Sequence, residues 1–186
     1  MSNAQFRFVI AVFFSCLTKV TFAAGLTSFV AVGLGNTTAE VNSPSGQVTA
    51  SGSGYRLVAG NQVSQLFSVE TEYVDFGQFA NSTSKIAAKG LGISGVLTMP
   101  LTSMFSIYGR AGYARIETTS TPLAGSVATP LSDTMAGLTL GYGIQIDLAP
   151  NASLRLSWDR YKSSTLADSF TDRVDMNSSG LLIFRF

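Results

Sequence analysis

Residues Leu138-Thr139-Leu140-Gly141-Tyr142-Gly143-Ile144-Gln145-Ile146-Asp147-Leu148 put Leu, Tyr or Ile at every even position and Thr, Gly, Gln or Asp at every odd one. In a helix, neighbours three and four apart share a face, which would mix the two classes; in a strand, alternate residues share a face and the classes separate. The stretch therefore reads as β. The next segment repeats the pattern, with Leu154, Leu156 and Trp158 alternating against Ser153, Arg155, Ser157 and Asp159. A water-soluble sandwich also alternates, so length decides. These runs suit a tilted membrane strand of roughly 9–11 residues better than a globular strand of ~5–6.

Outward from there, turn signals divide the chain into eight strands at 25–37, 52–63, 66–77, 85–99, 103–117, 133–148, 152–163 and 176–186. Connections at 63–65, 100–102 and 149–151 are short. Those at 38–51, 78–84, 118–132 and 164–175 are longer and rich in Ser, Thr, Asn, Gly and Pro. Short and long alternate strictly, which is the connection pattern of an up-and-down transmembrane barrel.

Composition agrees. Hydrophobic residues make up 46% and charged residues 12% of the 186-residue chain, with a net charge of +1. After residue 24 no stretch approaches the ~20 apolar residues of a membrane helix. A barrel needs apolar content without such a helix, because each strand shows lipid only at every second residue. Near neutrality argues against a nucleic-acid partner held through phosphates. At the start, Arg7 precedes the apolar run Phe8–Leu17 and then Thr21-Phe22-Ala23-Ala24. That is the layout of a secretory signal peptide, so residues 1–23 are expected to be removed and 24–186 to form one all-β barrel domain. Cys16, the single cysteine, would leave with the signal, and no disulfide is expected.

The final stretch, Leu181-Leu182-Ile183-Phe184-Arg185-Phe186, resembles the last strand of bacterial outer-membrane β-barrels. That resemblance implies that Phe184 and Phe186 form a signal read by the barrel assembly machinery. Further residues are similar to the OmpA-like eight-stranded barrels: Gly54-Tyr55-Arg56-Leu57-Val58-Ala59-Gly60-Asn61-Gln62-Val63 running through Ser68–Gly77, Met99-Pro100-Leu101-Thr102 followed by Ser106–Gly112, and Ala149-Pro150 followed by Leu154-Arg155-Leu156. The resemblance covers nearly all of the chain after the signal. It implies a bacterial outer-membrane location and contact with outer-membrane lipid and lipopolysaccharide, and the even strand number with short turns on the periplasmic side is expected to leave both termini in the periplasm. The family's peptidoglycan-binding domain has no counterpart in these residues.

Alternation assigns Arg56, Glu70, Glu72, Arg110, Asp147, Arg155, Asp159 and Arg185 to the inward face. Buried charges are tolerated only when paired, and an eight-stranded interior is just wide enough for side chains to fill. We expect a plug of ion pairs. The resemblance implies a central pair between Glu70 and Arg155. The family's second pair, associated with switching to a conducting state, would fall at Val96 and Gln145, neither of which is charged. Tyr55, Tyr73, Tyr113, Tyr142, Trp158, Phe184 and Phe186 fall on the predicted lipid face, several near strand ends where aromatic girdles occur.

The chain contains no histidine, whereas outer-membrane barrel enzymes use one for proton transfer near neutral pH. No catalytic residue, cofactor or metal site is expected, and no Cys/His cluster exists to bind zinc. Gly90-Leu91-Gly92-Ile93-Ser94-Gly95 matches a dinucleotide fingerprint in letters, but no helix follows to receive a pyrophosphate. Lumen-facing glycines that make room for large neighbours explain it better. Two functions remain: a monomeric surface scaffold presenting four extracellular loops to a host or surface ligand, or a small-solute porin-like channel.

Overall fold

The computed structural model describes residues 27–43, 46–80, 84–122, 131–163 and 173–186; the expected signal segment lies outside them. Eight strands follow in chain order: β1 (Thr27–Ser43), β2 (Gly46–Gln62), β3 (Phe67–Ala80), β4 (Ser84–Pro100), β5 (Phe105–Pro122), β6 (Leu131–Ala149), β7 (Ala152–Ser163) and β8 (Arg173–Arg185). Each pairs antiparallel with its neighbour, and β8 pairs back onto β1 to close the barrel. This is the all-β, eight-stranded antiparallel barrel expected from the alternation.

Several strands are longer than expected. The β1/β2 ladder continues to Ser43↔Gly46 and the β5/β6 ladder to Ser120↔Leu131, so most of 38–51 and parts of 118–132 are strand, not loop. The reason is physical. The backbone ladder needs no alternation of side chains, so it continues where the period-two apolar signal of the sequence has stopped.

At the opposite end the connections are tight. Ser64 Oγ accepts hydrogen bonds from the amides of Leu66 and Phe67 at 3.3 and 3.0 Å, and Thr102 Oγ1 accepts from Met104 and Phe105 at 3.2 and 3.0 Å. Two turns thus use the same hydroxyl device to satisfy backbone donors. We call this the turn end and the other the loop end. The seam is closed there by the last residue: the Phe186 amide donates to Ser28 O at 2.9 Å and the Ser28 amide to Phe186 O at 3.2 Å.

The outer wall is apolar. Leu34 and Tyr142 are 72% and 66% exposed, an arrangement that water would penalise and lipid favours. Tyr113, Trp158, Phe184 and Phe186 are likewise exposed, and the Tyr142 and Trp158 rings stack at 5.9 Å. Tyr73 shares the outer face but is largely covered, its ring 6.1 Å from that of Tyr55. Toward the loop end the apolar band gives way to ion pairs, Lys89–Asp75 at 3.4 Å and Arg160–Asp175 at 3.5 Å. Of the glycine cluster in β4, Gly90 and Gly92 face the lumen, whereas Gly95 lies on the outer face beneath the Phe67 ring.

Register breaks at two places that matter for the interior. In β3, the ladder to β4 shifts between Asp75 and Gln78; Gly77 there has φ +80°, and its amide donates to Asp75 Oδ1 at 2.9 Å. In β8, Ser157↔Ser179 is followed by Asp159↔Met176. Each bulge flips the alternation for what lies beyond it. As a result Phe79 and Met176, which strict alternation would send outward, are buried. A Cβ on Gly77 would stand 2.1 Å from Ser53 O. Gly77→Ala is therefore expected to destabilise the barrel by at least ~2 kcal/mol, from left-handed backbone strain plus that clash, measured as a lowered urea midpoint in detergent. An unchanged midpoint would show that the bulge is not required.

Candidate functional site: the barrel lumen

The interior is layered along the barrel axis. Nearest the loop end is a cluster of Val74, Phe76, Phe79, Ala88, Ala114, Ile116, Tyr161 and Met176, all 5% exposed or less. The Phe76 and Tyr161 rings meet edge to face at 5.0 Å, and Thr37 Oγ1 of β1 donates to Phe76 O at 2.8 Å. Side chains from β3, β4, β5, β7 and β8 thus close over one another. The alternation left this plug unseen because Phe79 and Met176 enter it only through the bulges; the Asp75-x-Gly77 sequence was the available signal.

Below it lie four charges. Arg56 Nη1 donates to Asp159 Oδ2 at 2.6 Å and stands 3.6 Å from Glu72 Oε2. Arg110 pairs with Glu72 and approaches Asp159 Oδ1 at 3.4 Å. Each cation therefore faces both anions. Ser157 Oγ receives Arg56 Nη2 at 3.0 Å and donates to Asp159 at 2.8 Å, and Tyr161 OH donates to Glu72 Oε2 at 3.2 Å. Gly141 makes this packing possible, since a Cβ there would fall 2.1 Å from Asp159 Oδ1 and 2.8 Å from Arg110 Cγ.

A second group occupies the next layer. Arg155 Nη1 donates to Glu70 Oε1 at 2.7 Å, its Nη2 donates to Gln145 Oε1 at 3.0 Å, and its guanidinium carbon sits 4.5 Å above the Tyr108 ring. Gln145 Nε2 passes the chain of hydrogen bonds to Asp147 Oδ1 at 3.1 Å, which also accepts from Arg185 Nη2 at 3.1 Å and from Ser153. The eight inward charges thus fall into three groups: a central quartet, Glu70 with Arg155, and Asp147 with Arg185 at the mouth. Val96 is fully buried beside Arg110 in the neighbouring strand and carries no partner function.

The turn-end half is two-sided. Phe29, Ala31, Val58, Leu181 and Ile183 from β1, β2 and β8 form an apolar wall, facing Ser68, Glu70, Ser106, Gln145 and Arg155. Between them a cavity of about 600 Å³ opens at the turn end, lined among others by Phe29, Ser68, Ser106, Gln145, Arg155 and Arg185. Of the other acidic residues, Asp175 pairs with Arg160 on the outer face, and Asp168 and Asp172 lie outside the described residues. Among the described residues no cluster of His, Cys, Asp and Glu has metal-holding geometry.

Comparison with known proteins agrees with this architecture. Neisserial surface protein A (NspA) aligns over 88% of this chain and 100% of its own, with a TM-score of 0.68 at 17% identity. OprG of Pseudomonas aeruginosa aligns over 86% and 95%, with a TM-score of 0.57 at 14% identity. Ail of Yersinia pestis aligns over 86% and 99%, with a TM-score of 0.54 at 15% identity. At these identities the likeness is one of fold. No curated protein sequence matches significantly. The model of the outer membrane protein beta-barrel domain matches residues 9–181, and the chain belongs to that family.

Proposed function

We propose that this protein is a monomeric surface scaffold of the bacterial outer membrane, its lumen closed and its loop end presented to the exterior for contact with a host or surface ligand. In this reading both termini are periplasmic and the outer wall contacts lipid and lipopolysaccharide. The observation that carries it is the filled lumen: an apolar layer drawn from β3, β4, β5, β7 and β8 is backed by a paired quartet of buried charges. Support also comes from the tall β1/β2 and β5/β6 hairpins, whose ladders extend past the apolar band. Ail, of the same fold, is an attachment invasion locus protein and has been seen with the heparin analogue sucrose octasulfate. In this reading the protein is not an enzyme, in keeping with a sequence that lacks the histidine outer-membrane barrel enzymes use to move protons near neutral pH.

The turn-end cavity favours the porin-like alternative, and conductance separates the two. Purified barrel in a planar bilayer is expected to be electrically silent, and stable unitary steps would sink the scaffold reading. Cells displaying the full chain should lose capture of their surface ligand when the segments joining β5 to β6 or β7 to β8 are shortened. Unchanged capture with every connection shortened would place recognition elsewhere.

A further inference from the structure

We propose that the apolar plug, and not the buried ion pairs, is the permeability barrier, and that the lumen beneath it is a water-filled well open at the turn end. This rests on the closed-lumen reading above and assigns the closure to particular residues. Three observations carry it.

First, among the described residues the plug is the buried apolar cluster that draws on most strands, β3, β4, β5, β7 and β8. The other buried apolar cluster is confined to β1, β2 and β8, leaving a polar flank opposite it. That flank lines the turn-end cavity as far as Gln145 and Arg155, one layer short of the quartet.

Second, polar atoms without protein hydrogen-bond partners lie below and beside the plug, Ser94 Oγ, Thr139 Oγ1 and the Nε atoms of Arg56 and Arg110, with Thr118 Oγ1 opposite Ala88 at the level of the plug itself. Ser94 and Thr139 stand on either side of Gly112 in one row of the ladder, and Thr139 is paired in turn with Tyr161 of the plug. Buried donors and hydroxyls of this kind are met by ordered water, which makes about three hydrogen bonds each. The charges here balance, with Arg56, Arg110 and Arg155 against Glu70, Glu72 and Asp159, so neutral water fits and an ion does not.

Third, charges and water are compatible neighbours, whereas a constriction of Phe76, Phe79, Ile116 and Met176 has nothing to offer a hydrated ion and excludes it by dewetting. Two bulges build that constriction, and both lie at its level.

The test compares two variants in planar bilayers bathed in KCl, each first shown to be folded by its heat-modifiable gel mobility. Phe76→Ala with Met176→Ala removes the plug; Glu70→Gln with Arg155→Gln removes charge at near-constant volume. The plug variant should show resolved unitary steps and the charge variant should be as silent as the parent. A silent, folded plug variant overturns the proposal, as does conduction by the charge variant. A parent that conducts by itself instead sinks the scaffold reading. Should the plug variant not fold, single cysteines in a Cys16→Ser background decide the matter with Ag⁺ as probe. Thiols introduced at Ser106 and Ser94 should be consumed in the folded barrel while one at Met176 survives. Protection at Ser94, or consumption at Met176, overturns the well and the seal respectively.

Discussion

Glu72→Gln is expected to lower the barrel's unfolding free energy by about 3–5 kcal/mol, the usual cost of leaving a buried charge uncompensated. Glu72 meets both Arg56 and Arg110, each almost wholly buried, and after the substitution Asp159 is the one carboxylate of the quartet left in contact with those two cations. Glu70→Gln should cost less, because Arg155 keeps Gln145 and the Tyr108 ring and lies next to the turn-end cavity. Glu117→Gln, at an exposed outer position, should stay within ~0.5 kcal/mol of the parent. Urea titration in detergent micelles measures all three. Equal midpoints for Glu72→Gln and Glu117→Gln would show that the quartet is hydrated enough to lose a partner without penalty.

That order of effects was only partly legible in the sequence. Alternation identifies inward charges because a membrane strand has one wet and one oily face, and Arg56 between Tyr55 and Leu57 and Arg110 between Gly109 and Ala111 stand out most clearly, whereas Glu72 follows Thr71 and Asp159 precedes Arg160. Their pairing is another matter. Arg56 and Asp159 are brought together across the lumen from β2 and β7, strands that share no ladder; the stagger of the closed barrel decides which inward residues meet, and no local pattern encodes it. The plug shows the converse limit. Val74 and Phe76 follow the alternation, but Phe79 and Met176 obey it only after a bulge has reset the parity. One bulge has a local sign, the Asp75 carboxylate accepting the Gly77 amide. The other, at Asn177-Ser178, has only small polar residues to mark it. Strand count and turn positions came from turn signals and the outer wall from periodicity, while the strand tips did not, since the period-two signal fades before the ladder ends.

Removal of Phe186 is expected to abolish accumulation of the folded barrel in the outer membrane while leaving export intact, with residues 1–23 acting as the export signal. Two contributions converge on this residue. Its backbone makes both hydrogen bonds that join the end of β8 to Ser28, so deletion opens the last step of the β1/β8 seam. Its ring is 67% exposed on the outer wall at the turn end, in line with Phe184, where an aromatic side chain sits at the membrane interface and where resemblance to outer-membrane barrels places the assembly signal. Substitutions separate the two. Phe186→Tyr keeps backbone and ring and should assemble at parental level. Phe186→Ala keeps the backbone bonds and loses the ring, so its assembly should fall toward that of the deletion if recognition dominates and stay near the parent if seam closure dominates. Cell fractionation with heat-modifiable gel mobility reads the result: the deleted form should appear in the periplasm as aggregated or degraded chain without the compact species. Parental amounts of compact barrel after deletion would show that neither the seam bonds nor the ring of Phe186 governs assembly.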